Sequence, residues 1–137
     1  MLAQVNGFRN KHKDIMYTVF RAVFGVLFMM HGLQKFGVLG GTFAMPGKTL
    51  MLVAGIVEVV GGLLIALGLF TSIAAFIAAG QMAVAYFMSH APSVWWNTLA
   101  NKGEPAVLFC FAFLLVWFFG PGKYSLDEKL CPTKGKK

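Results

Sequence analysis

Residues 49–69 read TLMLVAGIVEVVGGLLIALGL, a run of 21 residues whose one charge is Glu58 and whose glycines stand at 55, 61, 62 and 68. A helix needs about 20 mostly apolar residues to cross roughly 30 Å of hydrocarbon. The run meets that length, exceeds an ordinary strand and shows no sustained alternation of period two. A helix also satisfies its own backbone hydrogen bonds in lipid, which an open sheet cannot do. At 100° per residue Met51, Gly55, Glu58, Gly62 and Ile65 fall on one stripe, flanked by Ala54 and Gly61. Small residues beside a carboxylate predict close approach of a second helix on that face.

Three further runs lie on either side, at 15–35, 71–90 and 104–120. Across the 137 residues, 58% are hydrophobic and 12% charged, half the charge of an average soluble domain. This composition excludes disorder and argues against a water-soluble globule. The expectation is an all-α integral membrane protein, an antiparallel bundle of four spans over 15–121, with basic tails at 1–14 and 122–137. The first run does not read as a cleaved signal peptide: it is too long, Arg21 interrupts it, and no small-x-small site follows.

The net charge of +7 is placed by topology. Arg9, Lys11 and Lys13 precede the first span, and Lys123, Lys129, Lys134, Lys136 and Lys137 follow the fourth. The first and third loops hold only Lys35, Lys48 and Lys102. Four spans put both tails on one side, and the positive-inside bias makes that side the cytoplasm of a bacterial inner membrane. Tyr17, Trp117 and Tyr124 then mark the inner interface, and Trp95 and Trp96 the outer one. Anionic inner-leaflet lipid accounts for the basic balance, so nucleic acid is not needed as a partner. The 36–48 loop, rich in glycine and apolar residues, reads as a segment re-entering the membrane edge. The 91–103 loop reads as a short helix on the outer surface. Cys110 and Cys131 form no C-x-x-C and no metal-ligand spacing.

A charge inside a span costs at least about 2.5 kcal/mol and needs a reason. On the first span Arg21, Gly25, Phe28, Gly32 and Lys35 share a stripe with His31 at its edge. On the third, Gln81 shares its face with Ala74, Ala78, Ala85 and Met88, and Glu104 opens the fourth. The pocket candidates are therefore Arg21, His31, Lys35, Glu58, Gln81 and Glu104; all but Arg21, which lies about two turns above the inner edge, converge on the outer half of the bundle. Gly25, Gly32, Gly55, Gly61 and Gly62 are the packing candidates. Arg21 is expected to reach Glu58 from below as a mid-membrane ion pair. Bland readings stand beside these: Arg21 snorkelling to head groups, Lys35 and Glu104 as interfacial charges, His31 as a satisfied interfacial histidine, and Gln81 as interhelical glue. The phenylalanines of the fourth span, Phe113 among them, read as lipid-facing or loose core.

The same residues resemble the DoxX family of small four-helix bacterial membrane proteins. The likeness rests on Arg21-x3-Gly25-x2-Phe28-x2-His31-Gly32-x2-Lys35-Phe36-Gly37 in the first span and on Gly55-x2-Glu58-x2-Gly61-Gly62-x5-Gly68 with Thr71 in the second. It continues with Gly103-Glu104 and with Gly120-x-Gly122-x-Tyr124-Ser125-Leu126-Asp127. Ser125-x-x-Glu128 also reads as the capping box of a short tail helix. The resemblance implies an inner-membrane protein associated with redox assemblies, including subunits linked to thiosulfate and quinone reduction, and gives no reaction of its own. The chain carries no haem, flavin or iron–sulfur signature and no metal site, so electrons would be carried by a partner or a bound quinone. The leading expectation is an accessory subunit holding a quinone or lipid-like molecule in an outward-facing polar pocket, beside an oxidoreductase partner or a second copy of the chain. The rivals are a small transporter gated by Arg21 and Glu58, and a scaffold that only packs.

Overall fold

The computed structural model describes residues 1–41 and 49–132. Among these all regular structure is helical. Helix α1 spans Leu2–Lys35 and α2 Thr49–Leu67. α3 spans Thr71–Ala85, widens into a π turn at Tyr86–His90 and continues as α4, Ala91–Val94. α5 spans Glu104–Phe119 and α6 Leu126–Leu130. Three helical stretches, Gln4–Lys35, Thr49–Leu67 and Thr71–Val94, are long and apolar enough to cross a membrane. The fourth, α5, is a shorter apolar helix of 16 residues, about 24 Å at 1.5 Å per residue.

Some boundaries differ from the sequence expectation. The basic stretch 1–14 is helical and continuous with the first apolar run, α1 beginning at Leu2. The third span runs on to Val94 instead of ending at 90. The surface helix expected in 91–103 reduces to that four-residue continuation, followed by turns. The re-entrant reading of 36–48 falls largely on 42–48, outside the described residues, as do Lys48 and the tail lysines 134, 136 and 137.

The helices end where the sequence provides glycine. α2 closes in a Schellman motif: Gly68 adopts φ +74°, its N–H donates to the Ile65 carbonyl, and Leu69 N–H donates to the Leu64 carbonyl. This tight turn makes α2 and α3 antiparallel neighbours.

Two packed pairs make up the bundle. α1 and α2 meet through glycine. A Cβ on Gly62 would stand 2.6 Å from the Gly25 carbonyl oxygen and 2.6 Å from the Met29 nitrogen, and one on Gly32 would stand 2.8 Å from the Gly55 carbonyl oxygen. Backbones this close replace the hydrophobic effect, which lipid does not supply between helices, with van der Waals contact. α3 and α5 meet through Ala74, Ala75, Ala78 and Ala79 packed on Phe109, Phe113 and Val116. Phe28 joins the pairs, its ring 5.6 Å from that of Phe109 and 4.8 Å from that of Phe113. Phe113 is wholly buried, so its reading as lipid-facing or loose core is corrected: aromatic bulk on α5 fills the space opposite the alanine face of α3.

Tyr17 and Arg21 of α1, the α2–α3 turn and residues 120–127 meet at one end. Tyr17 Oη donates to the Gly120 carbonyl, Arg21 Nη2 to the Tyr124 carbonyl, and Phe70 and Thr71 N–H to Asp127. Lys35, Thr49, His90 and Lys102 line a common cleft at the opposite end.

Candidate functional site

The far end of the bundle holds a cleft of about 840 Å³, within the roughly 300–1,000 Å³ range of small-molecule sites. Each wall follows from a helix face. α1 contributes Phe28, His31 and Lys35 at i, i+3 and i+7. α2 contributes Met51, Ala54 and Glu58. α3 and the π turn contribute Gln81, Ala85, Met88 and Ser89, and Phe109 closes the α5 side. The π turn adds a residue to the helical repeat, and His90 joins the lining there.

The polar floor is a three-residue chain. Glu58 is 2% exposed. Lys35 Nζ donates to its Oε2, and Gln81 Nε2 donates to its Oε1 at 2.9 Å and approaches the Ala54 carbonyl at 3.3 Å. A buried carboxylate is tolerated when both oxygens are engaged and a cation stands beside it. Both oxygen neighbours of Gln81 Nε2 accept hydrogen bonds, which fixes the orientation of the amide and leaves Gln81 Oε1 as a buried acceptor without a donor. His31 stands edge-on to Phe109, ring centres 5.4 Å apart. His90 Nδ1 lies 2.9 Å from the Asn101 carbonyl. A carbonyl only accepts, so this nitrogen carries the proton.

Arg21 is not part of this site, which corrects the expected Arg21–Glu58 pair. Gly25 faces Gly62 across the α1–α2 seam. Counting antiparallel from there puts Arg21 opposite Ala66 and Glu58 opposite Met29. The two charges are thus eight residues apart along the bundle, about 12 Å, beyond a direct contact. Arg21 instead closes the end of α2, Nη1 donating to the Ile65 carbonyl and, at 3.1 Å, to that of Ala66, and Nη2 donating to Tyr124 O at 3.0 Å. A cation there meets the last-turn carbonyls, of which Ile65 O also accepts from Gly68 N–H, and the negative end of the helix dipole. Lys35 takes the place expected for Arg21, so its bland reading as an interfacial charge is also replaced. Glu104 is exposed at the start of α5 and is not among the residues lining the cleft.

Asp127 was quoted only as part of the tail motif. Its carboxylate accepts from Phe70 N–H, Thr71 N–H and Thr71 Oγ1 at 2.8–2.9 Å, capping α3 from the tail. Partial burial pushes this carboxyl up, but the Thr71 and Phe70 hydrogen bonds and the Arg21 charge outweigh it and hold the group below its usual range. The Ser125 half of the expected capping box is present, with Glu128 N–H donating to Ser125 Oγ at 3.2 Å. Lys102, Ser89 and His90 were missed as lining residues. The signal available for Ser89 was its place eight residues after Gln81, on the same helical face.

Among known proteins, a protein of Haemophilus influenzae described as "Uncharacterized protein" is 39% identical over 126 residues, covering 87% of this chain and 93% of the relative. No solved structure matches the chain. The family model of DoxX matches residues 16–91, which hold the first three apolar runs but for Ile15, the cleft floor of Lys35, Glu58 and Gln81, and His31 at its rim. With more than half of its length under that model, the chain belongs to the DoxX family.

Proposed function

We propose that this membrane protein holds a quinone or lipid-like molecule in the cleft, as an accessory subunit beside a membrane redox partner. The observation that carries the ligand reading is the cleft itself: apolar walls from α2, α3 and α5 over a floor of Lys35, Glu58 and Gln81. Apolar walls with a few convergent polar groups describe a site for an amphiphile. In this reading Lys35 and His31 hydrogen-bond the head group, and Glu58 fixes the Lys35 ammonium. The unpaired Gln81 Oε1 accepts from a head-group hydroxyl, since an orphaned buried acceptor costs about 1–3 kcal/mol. The redox partner is supported by the family resemblance alone.

The orientation belongs to the same proposal. The basic residues Arg9, Lys11, Lys13, Lys123 and Lys129 belong to the end of the bundle away from the cleft, so the positive-inside bias directs the cleft outward from a bacterial inner membrane. Reporter fusions at residue 137 and in the 91–103 loop should read opposite sides of the membrane; the same side would refute this arrangement.

The test of function is Glu58→Gln. The amide keeps the shape of the carboxylate, its one oxygen can still accept from Lys35, and its NH2 can donate to the free Gln81 Oε1 if that amide turns, so the fold should survive. The expected outcome is that mass spectrometry finds a small molecule co-purifying with the parent protein and that the variant, with an unchanged melting temperature, loses it. A folded variant that retains the same molecule in the same amount would remove Glu58 from the site and the pocket reading with it.

A further inference from the structure

We infer that the head group taken by the cleft is an anion, a carboxylate or phosphate, on an apolar chain; this rests on the reading of the cleft as an amphiphile site. The lining contains two lysines, Lys35 and Lys102, and two histidines, His31 and His90. Against them the lining holds one carboxylate, Glu58, and it is spent: both oxygens are engaged and the residue is 2% exposed. Lys35 keeps a quarter of its side chain accessible and gives one of its three N–H groups to Glu58. Among the described residues Lys102 has no ion-pair partner, and the His31 ring makes no hydrogen bond. The cations at the rim thus outnumber the anion below them, before any histidine protonates.

The apolar half of the argument is the opening between α2 and α3. Leu50, Met51, Val84 and Met88 line the cleft and are also exposed on the outside of the bundle, so the cleft reaches the surface that faces lipid. An acidic amphiphile can enter by that side with its head against Lys35 and Lys102 and its chain left among apolar side chains. A neutral head would leave the excess positive charge of the rim unmatched in a partly desolvated site, where charge complementarity decides specificity.

Two sources share this chemistry, a free fatty acid and an anionic phospholipid, and the experiment separates them. Purified protein in neutral detergent is titrated with oleate, oleyl alcohol, phosphatidylglycerol, phosphatidylcholine and a short-chain quinone analogue. The parent should bind oleate or phosphatidylglycerol at least about fivefold more tightly than the neutral compound of the same chain, with the preference shrinking in salt. Oleate preference identifies a free acid, and phosphatidylglycerol preference alone identifies a membrane lipid. Lys102→Glu, a change at an exposed turn residue, should abolish the preference, and Ala85→Trp, which fills the cleft, should abolish binding. Equal binding of oleate and oleyl alcohol, or tighter binding of the quinone analogue, overturns the anionic head while the amphiphile site stands. An acid preference unaffected by both variants places the lipid elsewhere on the surface and also overturns the inference. Failure of every probe to bind removes the amphiphile site itself.

Discussion

Arg21 and Glu58 are both buried charges in apolar helices, 1% and 2% exposed, yet the two ends of the bundle they occupy are built differently. Around Arg21 the partners are backbone carbonyls of Ile65, Ala66 and Tyr124, held by a helix end and the tail. Around Glu58 the partners are two side chains, Lys35 and Gln81, and the group borders a cleft of about 840 Å³. The first end is a latch, in which both Nη atoms of the guanidinium go to backbone carbonyls, while among the described residues the buried Nε has no partner. The second keeps donors and an acceptor in reserve. Depth in the membrane makes any charge expensive, so depth alone does not separate a structural charge from a binding one; the space beside it does.

The largest effect is expected where both ends depend on one seam. Gly62→Leu would drive a side chain into the backbone of Gly25 and Met29, 2.6 Å from the position of a Cβ, and should cost about 3 kcal/mol or more. Gly55→Ala, on the cleft side, meets the Phe36 ring at 3.0 Å, an edge that can turn aside, and should cost under about 1 kcal/mol. Thermal unfolding in detergent compares them. Equal losses would mean that the seam does not distinguish the two ends.

Arg21→Met breaks the latch with a side chain of similar length. Three hydrogen bonds from a charged donor are lost and buried carbonyls are left without them, at a cost of about 3 kcal/mol. The folded fraction should keep the ligand behaviour of the parent, because Arg21 lies about 12 Å from Glu58 along the bundle. A variant that melts like the parent but loses ligand would reverse the assignment of the two ends.

The two ends were not equally legible in the sequence. Hydropathy and helix periodicity locate the four spans and put Gly55, Glu58 and Gly62 on one face, because those signals depend on one helix at a time. Partnering depends on the axial register between helices, which no single-helix pattern carries. Arg21 and Glu58 share compatible faces but not a level, and Lys35 reaches Glu58 because its long stem folds back along α1. The π turn that accompanies His90 has no periodic signature in YFMSH. Asp127 escaped notice for a related reason: a cap supplied from 56 residues away to Thr71 lies outside the local capping patterns of a helix start.

That remote cap gives the smallest effect and a test of the latch that leaves the membrane interior untouched. The folded-state pKa of Asp127 is lowered, so the stabilisation it supplies is fully present above its unfolded value, about 3.9 for aspartate, and is lost as pH falls through the lower folded value. Asp127→Asn removes the charge and one of the two acceptor oxygens, so that Phe70 N–H or the Thr71 donors lose their acceptor, and should cost about 1 kcal/mol at neutral pH. The parent should lose that same increment on acidification below about pH 4, so the melting curves of parent and variant should converge there. Limited proteolysis after Lys123 and Lys129 should rise in the variant, since the side-chain tie of α6 to Phe70 and Thr71 is weakened while the Asp127 N–H bond to the Gly68 carbonyl at 2.8 Å and the Arg21 bond to Tyr124 remain. If the two proteins keep a constant difference in melting temperature from pH 7 to pH 3, the carboxylate charge is not what closes the latch, and Arg21 with its carbonyl partners carries that end alone.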